Sequence, residues 1–369
     1  GYTGPNINVD ENGDFVPMYN STEAMQIVHD WFASIGGLQN TDYLFAPSLA
    51  GYNLAVPPLS SPYTQEFSIG FLKRLGTKGM IRADYVYRDS GDFYMSRTDE
   101  STGQVDVSVE IAPGTVIDET FDLAIYENDS DIIQRTYSGL HTQFQYRFSD
   151  RLMLGGNWTW SHLYGNFDGE NTRNGISVGW MRDYPEYREE AWNYPTGDLG
   201  QDQRHTVNAY LIWDVIASRM HNLSVSWLER YATGTPYSGL WEINPSPYVD
   251  NPGYLTPPNS LNYFVDQRKG QYRTDDIHST DLAINYSFFI PVGGSSIELF
   301  IQPEVQNVFN ESGVRFPNNT ITGGEDFNPF TTNPVEGVNY NFGSNFGEAD
   351  VEDDFQLPRT FRLHVGIRF

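Results

Sequence analysis

Nine stretches of the chain alternate apolar and polar side chains over about 9–14 residues each, and this alternation limits the fold more than any other feature. Alternation with period two is the signature of a strand with one apolar and one polar face. The stretches are also long. Strands of soluble domains average about 5–6 residues, whereas about 9–11 tilted residues cross a bilayer. The closing "LPRTFRLHVGIRF" is the clearest case: Phe361, Leu363, Val365, Ile367 and Phe369 share one face, and Arg362, His364, Gly366 and Arg368 the other. Reading backwards, apolar faces recur at Ile297, Leu299, Ile301 and Val305, then at Leu282, Ile284, Tyr286, Phe288 and Ile290. Leu223, Val225 and Trp227 form the next, followed by Val207, Ala209, Leu211, Trp213 and Val215. Leu152, Leu154, Trp158 and Trp160 precede them, and before these come Leu140, Phe144, Tyr146 and Phe148. Ile81, Ala83, Tyr85 and Tyr87, with Phe67, Ile69 and Phe71, complete the set.

The connections alternate in length. Short turns fall near Gly76–Lys78, Ser149–Asp150, Ala217–Met220 and Pro291–Gly293, while long loops cover residues 1–63, 90–133, 166–203, 236–272 and 311–356. Short turns at one end and long loops at the other are the habit of outer-membrane barrels. The predicted class is therefore all-β: a transmembrane antiparallel up-and-down β-barrel with long extracellular loops. Mean hydropathy is −0.48, and no stretch reaches the roughly 18 apolar residues of a membrane helix. Crossing by strands leaves a much weaker hydropathy signal.

Charge is distributed the same way. The net charge of −26 argues against nucleic acid as a partner. The five long loops hold 37 of the 48 acidic residues and only 7 of the 22 basic ones, so the acidity belongs to one side of the molecule. Aromatic residues (Trp158, Trp160, Tyr164, Trp213, Trp227, Tyr231) gather near strand ends, as an interfacial girdle requires. One loop stretch, "STEAMQIVHDWFASIGG", reads as a helix: Met25, Val28, Phe32 and Ile35 share a face, Ser21 or Thr22 can cap it and Gly36 can end it. The expected division is thus a loop region over residues 1–63 with a short helix, then barrel strands over 64–369.

Enzymatic signals are weak, and no catalytic residue is predicted. "GISVG" (Gly175–Gly179) has the spacing of a serine nucleophile but lies in a polar loop without the strand–turn–helix context that chemistry needs. The seven histidines show no metal-ligand spacing, and the absence of cysteine excludes disulfides and thiolate sites. Asp10, Asn12 and Asp14 alternate like the start of a calcium loop, yet the glycine is misplaced and no glutamate follows at the right distance. A solvated acidic loop is the simpler reading, with calcium as the alternative.

"YATGTPYSG" (Tyr231–Gly239), "STDLAINYSFFI" with "ELFIQPEVQNVFN" (Ser279–Asn310) and the closing strand with its terminal Phe369 together resemble the last strands of a TonB-dependent outer-membrane receptor. The acidic, aromatic loops most resemble its Oar-like branch. The resemblance covers about residues 64–369 and implies the outer membrane of a Gram-negative bacterium. It also implies a 22-stranded barrel around a plug, an energy coupler of the TonB type, and uptake of a scarce bulky ligand such as a siderophore, oligosaccharide or peptide. The last strand resembles the signal read by the barrel assembly machinery, and lipopolysaccharide would surround the wall.

Nine is odd, and bacterial barrels close with even strand numbers. The expectation is therefore that an N-terminal fragment supplies the plug and the remaining strands, this chain being the C-terminal portion. Arg82, Asp84, Gln143, Gln145, Asn157, Asp281, Asn285, Glu298, Gln302, Glu304 and Arg362 fall on lumen faces, where contact with the plug is expected. Ligand contacts are expected from loop aromatics: Trp180, Tyr184, Tyr187, Trp192 and Tyr194, then Trp241, Tyr248, Tyr254 and Tyr263. The competing reading is that these rings give the loops a small core of their own. The alternative role is a structural barrel subunit that anchors surface lipoproteins or a larger assembly.

Overall fold

The computed structural model describes residues 21–37, 54–112, 115–129, 131–169, 180–293, 295–323 and 327–369. The acidic alternation at Asp10, Asn12 and Asp14 and the "GISVG" stretch lie outside the described residues.

The chain divides into two compact units. The larger holds nine long strands: β1 (Tyr63–Leu75), β2 (Gly79–Gly91), β3 (Arg135–Ser149), β4 (Leu152–Gly165), β5 (His205–Ala217), β6 (His221–Ala232), β7 (Ile277–Val292), β8 (Ser295–Gln306) and β9 (Thr360–Arg368). They pair antiparallel, each with the next in sequence, in one up-and-down sheet. Every strand expected from alternation is present. Most run 12–16 residues. At roughly 3.3 Å per residue and a tilt near 45°, about 11 residues span the ~25 Å apolar band of an outer-membrane barrel.

Register keeps the two faces apart. Phe67 lies opposite Tyr87, Ile69 opposite Tyr85 and Phe71 opposite Ala83. At the other edge Leu299 faces Ile367, Ile301 faces Val365 and Val305 faces Phe361. The six girdle aromatics share this apolar face, where the Trp158 ring stacks on His205 at 5.9 Å and donates Nε1 to its Nδ1 at 3.2 Å. Val215 departs from the simple alternation. The register shifts between Asp214 and Ile216, so Ile216 takes the place opposite Leu223. A bulge adds one residue and resets which face the next side chain meets.

The opposite face is polar. A single row crosses six strands: Arg82, Gln143, Asn157, Asn208, Arg230 and Ser279 are successive cross-strand partners. Within it Asn208 donates to Asn157 at 3.1 Å. Arg230 pairs with Asp281 from the neighbouring strand, and Glu298 accepts from Ser287 at 2.6 Å and from Arg368 at 3.1 Å. Glycines on this face are roofed by aromatic rings. Gly155 lies opposite Tyr210, and a Cβ at Gly155 would sit 2.5 Å from that ring; at Gly366 it would sit 2.6 Å from the ring of Phe300. The Phe300 ring also carries the Arg368 guanidinium at 4.3 Å.

The smaller unit holds the helix Ser21–Ser34, in the stretch where the sequence predicts one although Ser21 and Thr22 lie within its first turn, and a hairpin of Gln104–Ala112 with Thr115–Asp122 inside the predicted 90–133 loop. The buried carboxylate of Asp122 closes this unit. It accepts the backbone amides of Leu255 at 3.0 Å and Thr256 at 2.9 Å.

Replacing Gly155 by valine is expected to push the Tyr210 ring off the strand and cost about 1–3 kcal/mol, the usual range for overpacking. The temperature at which the folded, fast-migrating band is lost in semi-native electrophoresis should fall. An unchanged temperature would mean that the ring moves aside freely.

Candidate functional site

The loops of the larger unit build their own interior. Residues 166–204, 233–276 and 307–359 each contribute aromatic rings to it, because a loop of this size must bury apolar surface to hold one conformation. Trp192 is 1% exposed and stacks on Tyr263 at 5.4 Å with 12° between the planes, while Phe330 meets it edge-on at 5.8 Å. Trp241 stacks on Phe327 at 5.1 Å, and Tyr272, Phe342 and Phe346 pack beside Tyr237. Short strand pairs fix these rings, among them Leu240–Ile243 with Leu261–Phe264 and Pro236–Tyr237 with Tyr272–Arg273.

The predicted ligand aromatics are distributed through this packing. Tyr187 and Trp192 are buried; Trp180 and Tyr194 are half-buried against the cluster of Met95, Ile133, Phe167 and Met181. The Arg188 guanidinium lies 4.4 Å above the Trp180 ring and donates to Asp183 O at 2.6 Å and Asn193 Oδ1 at 3.0 Å. Burial lowers its pKa to about 10. Tyr184 holds a left-handed backbone (φ 52°) ahead of a short helical turn and meets Tyr187 edge-to-face. Trp241 is half-buried, and Tyr248 is exposed at the rim of a recess shared with Trp241 and Phe327. Tyr254 is buried and belongs to the smaller unit.

A cavity of about 360 Å³ among the loops is lined by Asp168, Asp198, Lys269, Tyr237, Phe264 and Phe316 among others. None of these was singled out as a ligand contact in the sequence, although Tyr237 sits in the "TGTPY" motif. Its floor is a buried charge network. Arg273 bridges Asp198 at 2.8 Å and Asp202 at 2.6 Å, and Arg204 reaches the same two carboxylates at 2.9 Å each. His162 Nε2 approaches Asp198 at 3.1 Å, and Lys269 pairs with Asp168. Burial pushes the Asp198 carboxyl up, but hydrogen bonds from Arg273, Arg204 and His162 outweigh it and hold it below the usual carboxylate range. The backbone amides of Leu163 and Gly200 donate to Asp202 and Asp168, both at 2.7 Å, which ties the loops to the end of β4. No group of three or more metal-ligating side chains stands close enough to hold an ion among the described residues.

Strands of bilayer length, an apolar outer stripe and long loops at one end define an integral outer-membrane β-barrel protein. Residues 5–234 match the family model described as an outer membrane beta barrel domain, and the chain belongs to that family. Among solved structures, the fold is similar to the outer membrane transporter YddB from Escherichia coli, with a TM-score of 0.43 and 10% identity over 84% of this chain and 32% of that one. It is also similar to the siderophore receptor PirA from Acinetobacter baumannii, with a TM-score of 0.39 and 14% identity over 69% of this chain and 28% of the other. The chain thus spans about a third of the length of these proteins. No curated protein matches it.

Replacing Arg273 by leucine leaves two buried carboxylates short of a partner. The expected cost is about 3 kcal/mol, the low end for breaking a buried pair, because Arg204 remains. Proteolytic cleavage within residues 233–276 should become faster while the strands stay protected. The Asp198 shift also sets a pH dependence. A carboxyl held below its unfolded pKa contributes stability above about pH 4 and loses it as pH falls through the folded value. Hydrogen-exchange protection around Asp198 and Asp202 should therefore stay level from pH 7 to 5 and collapse only below about pH 4.

Proposed function

We propose that this chain forms part of the wall and most of the outer recognition surface of a TonB-dependent outer-membrane transporter. The observation that carries the reading is the polar row from Arg82 to Ser279 on a sheet whose other face is apolar. A barrel wall polar on its inside encloses either water or a polar plug. Arg82, Asp84, Gln143, Gln145, Asn157, Asp281, Asn285, Glu298, Gln302, Glu304 and Arg362 all share that face through the register, and they are proposed to line the lumen against a plug. Further strands and the plug, from the same polypeptide or a companion, close the wall. The ligand is proposed to meet the loops at the members of the predicted set that keep surface open, the exposed Tyr248 and the half-buried Trp241, Tyr184, Trp180 and Tyr194. A siderophore, an oligosaccharide or a peptide all present faces that stack on such rings. The chain is proposed to have no catalytic role, and to reach the membrane through its last strand and the barrel assembly machinery. Calcium in an acidic surface loop is kept as a secondary proposal.

A second reading has its own support. Trp192, Tyr187 and Tyr263 are spent on internal packing, so the loops are built as a rigid surface rather than as an open, ring-lined cleft. A structural barrel that anchors a surface lipoprotein needs such a platform.

Uptake by whole cells separates the two. The transporter reading expects that a protonophore stops ligand entry while surface binding persists, because an energy coupler drives release of the plug. Intact mass of everything that co-purifies in mild detergent should then include a plug-bearing segment. A stoichiometric lipoprotein with no plug would turn the assignment to the structural reading.

A further inference from the structure

We propose that the polar face of the sheet carries an oxyanion site, built on Arg135 and Arg88, that takes a carboxylate or phosphate group. The site is a recess of about 390 Å³ at the loop end of β1–β4, lined also by Thr64, Ser90, Tyr137 and Gln201. Its geometry follows from register. Arg88 stands opposite Tyr137 and Ser90 opposite Arg135, so the two arginines are diagonal neighbours on one face. Diagonal Cβ atoms lie about 7–8 Å apart, which places both guanidinium groups within reach of one bound anion.

The two cations are unequal. Arg88 uses Nε on Glu66 at 2.6 Å, and its guanidinium lies 5.5 Å from the centre of the Tyr137 ring. Its terminal nitrogens have no further partner among the described residues. Arg135 is half-buried, and its guanidinium makes one hydrogen bond, from Nη1 to the carbonyl of Phe167 at 3.2 Å. Its other donors have no partner among the described residues, and no carboxylate pairs with it there. Asp168 is the carboxylate whose charge acts on Arg135, and it is committed elsewhere, to Lys269. A guanidinium withdrawn from water without a counter-charge is costly. A planar oxyanion repairs that deficit through paired N–H donors, the geometry arginine provides and lysine does not. Hydroxyls of Thr64 and Ser90, 2.9 Å apart, line the same recess.

The oxyanion has two sources, a diffusible anionic group or an acidic side chain of a plug. Titration calorimetry on the intact outer-membrane protein in detergent, with citrate as probe, distinguishes them. If the site serves a diffusible anion, citrate binds wild type, and Arg135→Gln and Arg88→Gln each weaken it at least tenfold. Arg147→Gln, near the turn end of the same face, should leave binding unchanged. If a plug carboxylate fills the recess, citrate does not bind, and Arg135→Gln raises single-channel conductance in planar bilayers because the plug is less firmly held. Arg135→Lys restores the charge but not the fork, so it should recover only part of either effect. Each variant is first checked for the heat-sensitive folded band, and Arg88→Gln carries the test if Arg135→Gln fails to fold. Citrate binding equal in wild type and variants, or neither binding nor a conductance change, overturns the site. The citrate arm needs no transport, so its failure is distinct from failure of the transporter reading.

Discussion

A backbone amide in hydrocarbon has no water to turn to, and the rest of this molecule follows from that. Each unsatisfied N–H or C=O there costs several kcal/mol, so a strand that crosses the membrane must be paired along both edges. Seven of the nine strands meet this requirement with their immediate sequence neighbours. Tyr63–Leu75 and Thr360–Arg368 pair on one side only among the described residues. These edges carry some of the most exposed apolar side chains, with Ile69 at 64% and Phe361 at 72%. An open edge and a bare apolar stripe are both untenable in water, and in lipid only the stripe is acceptable. Pairing of both edges is thus a requirement of the backbone before it is a matter of family.

The wall was legible in the sequence because its physics is local. Lipid on one side and polar matter on the other force a period of two, and a strand long enough to cross gives that period many repeats. Short turns between Leu75 and Gly79 or between Ser149 and Leu152 fix the register, so neighbours in sequence become neighbours in space. The exceptions are instructive. Val215 fails because a bulge shifts the count, and no residue type announces that bulge. The hairpin from Gln104 to Asp122 also alternates, with Val105 and Val107 on one face. Asp106, Asp118 and Glu119 make it too acidic for a membrane strand, and Glu119 stands opposite Val107, so its two faces differ too little to mark it out.

The loops were not legible, and the reason is sequence distance. The Asp198–Arg273 pair joins residues 75 positions apart, and Asp122 clamps Leu255 across 133. Nothing in the spacing of "GDLGQDQRH" tells which arginine will reach Asp198. Composition did reveal the aromatic abundance, and it left open whether the rings serve a ligand or the loops themselves. Tyr187 and Trp192, at 1% exposure, serve the loops.

Burial also changes what the loop charge means. The sequence assigns the long loops seven basic residues against 37 acidic ones, which suggests a surface where cations are scarce but present. The fold makes them scarcer. Lys269 and Arg188 are buried at 6% and 9% exposure, one on Asp168 and the other over the Trp180 ring and on Asn193. Arg204 and Arg273, just outside those loops, are likewise turned onto Asp198 and Asp202. Glu186, Glu189, Glu190, Glu336 and Glu352 meanwhile remain exposed. Lys269, Arg204 and Arg273 thus neutralise buried carboxylates, because a buried charge without a partner is the costlier arrangement, while buried Asp122 is met by backbone amides instead. The acidity left over faces solvent, where water and salt screen it within about 10 Å at 0.1 M ionic strength. The strongest charge on the loops is therefore structural in origin on the inside and only weakly constrained on the outside.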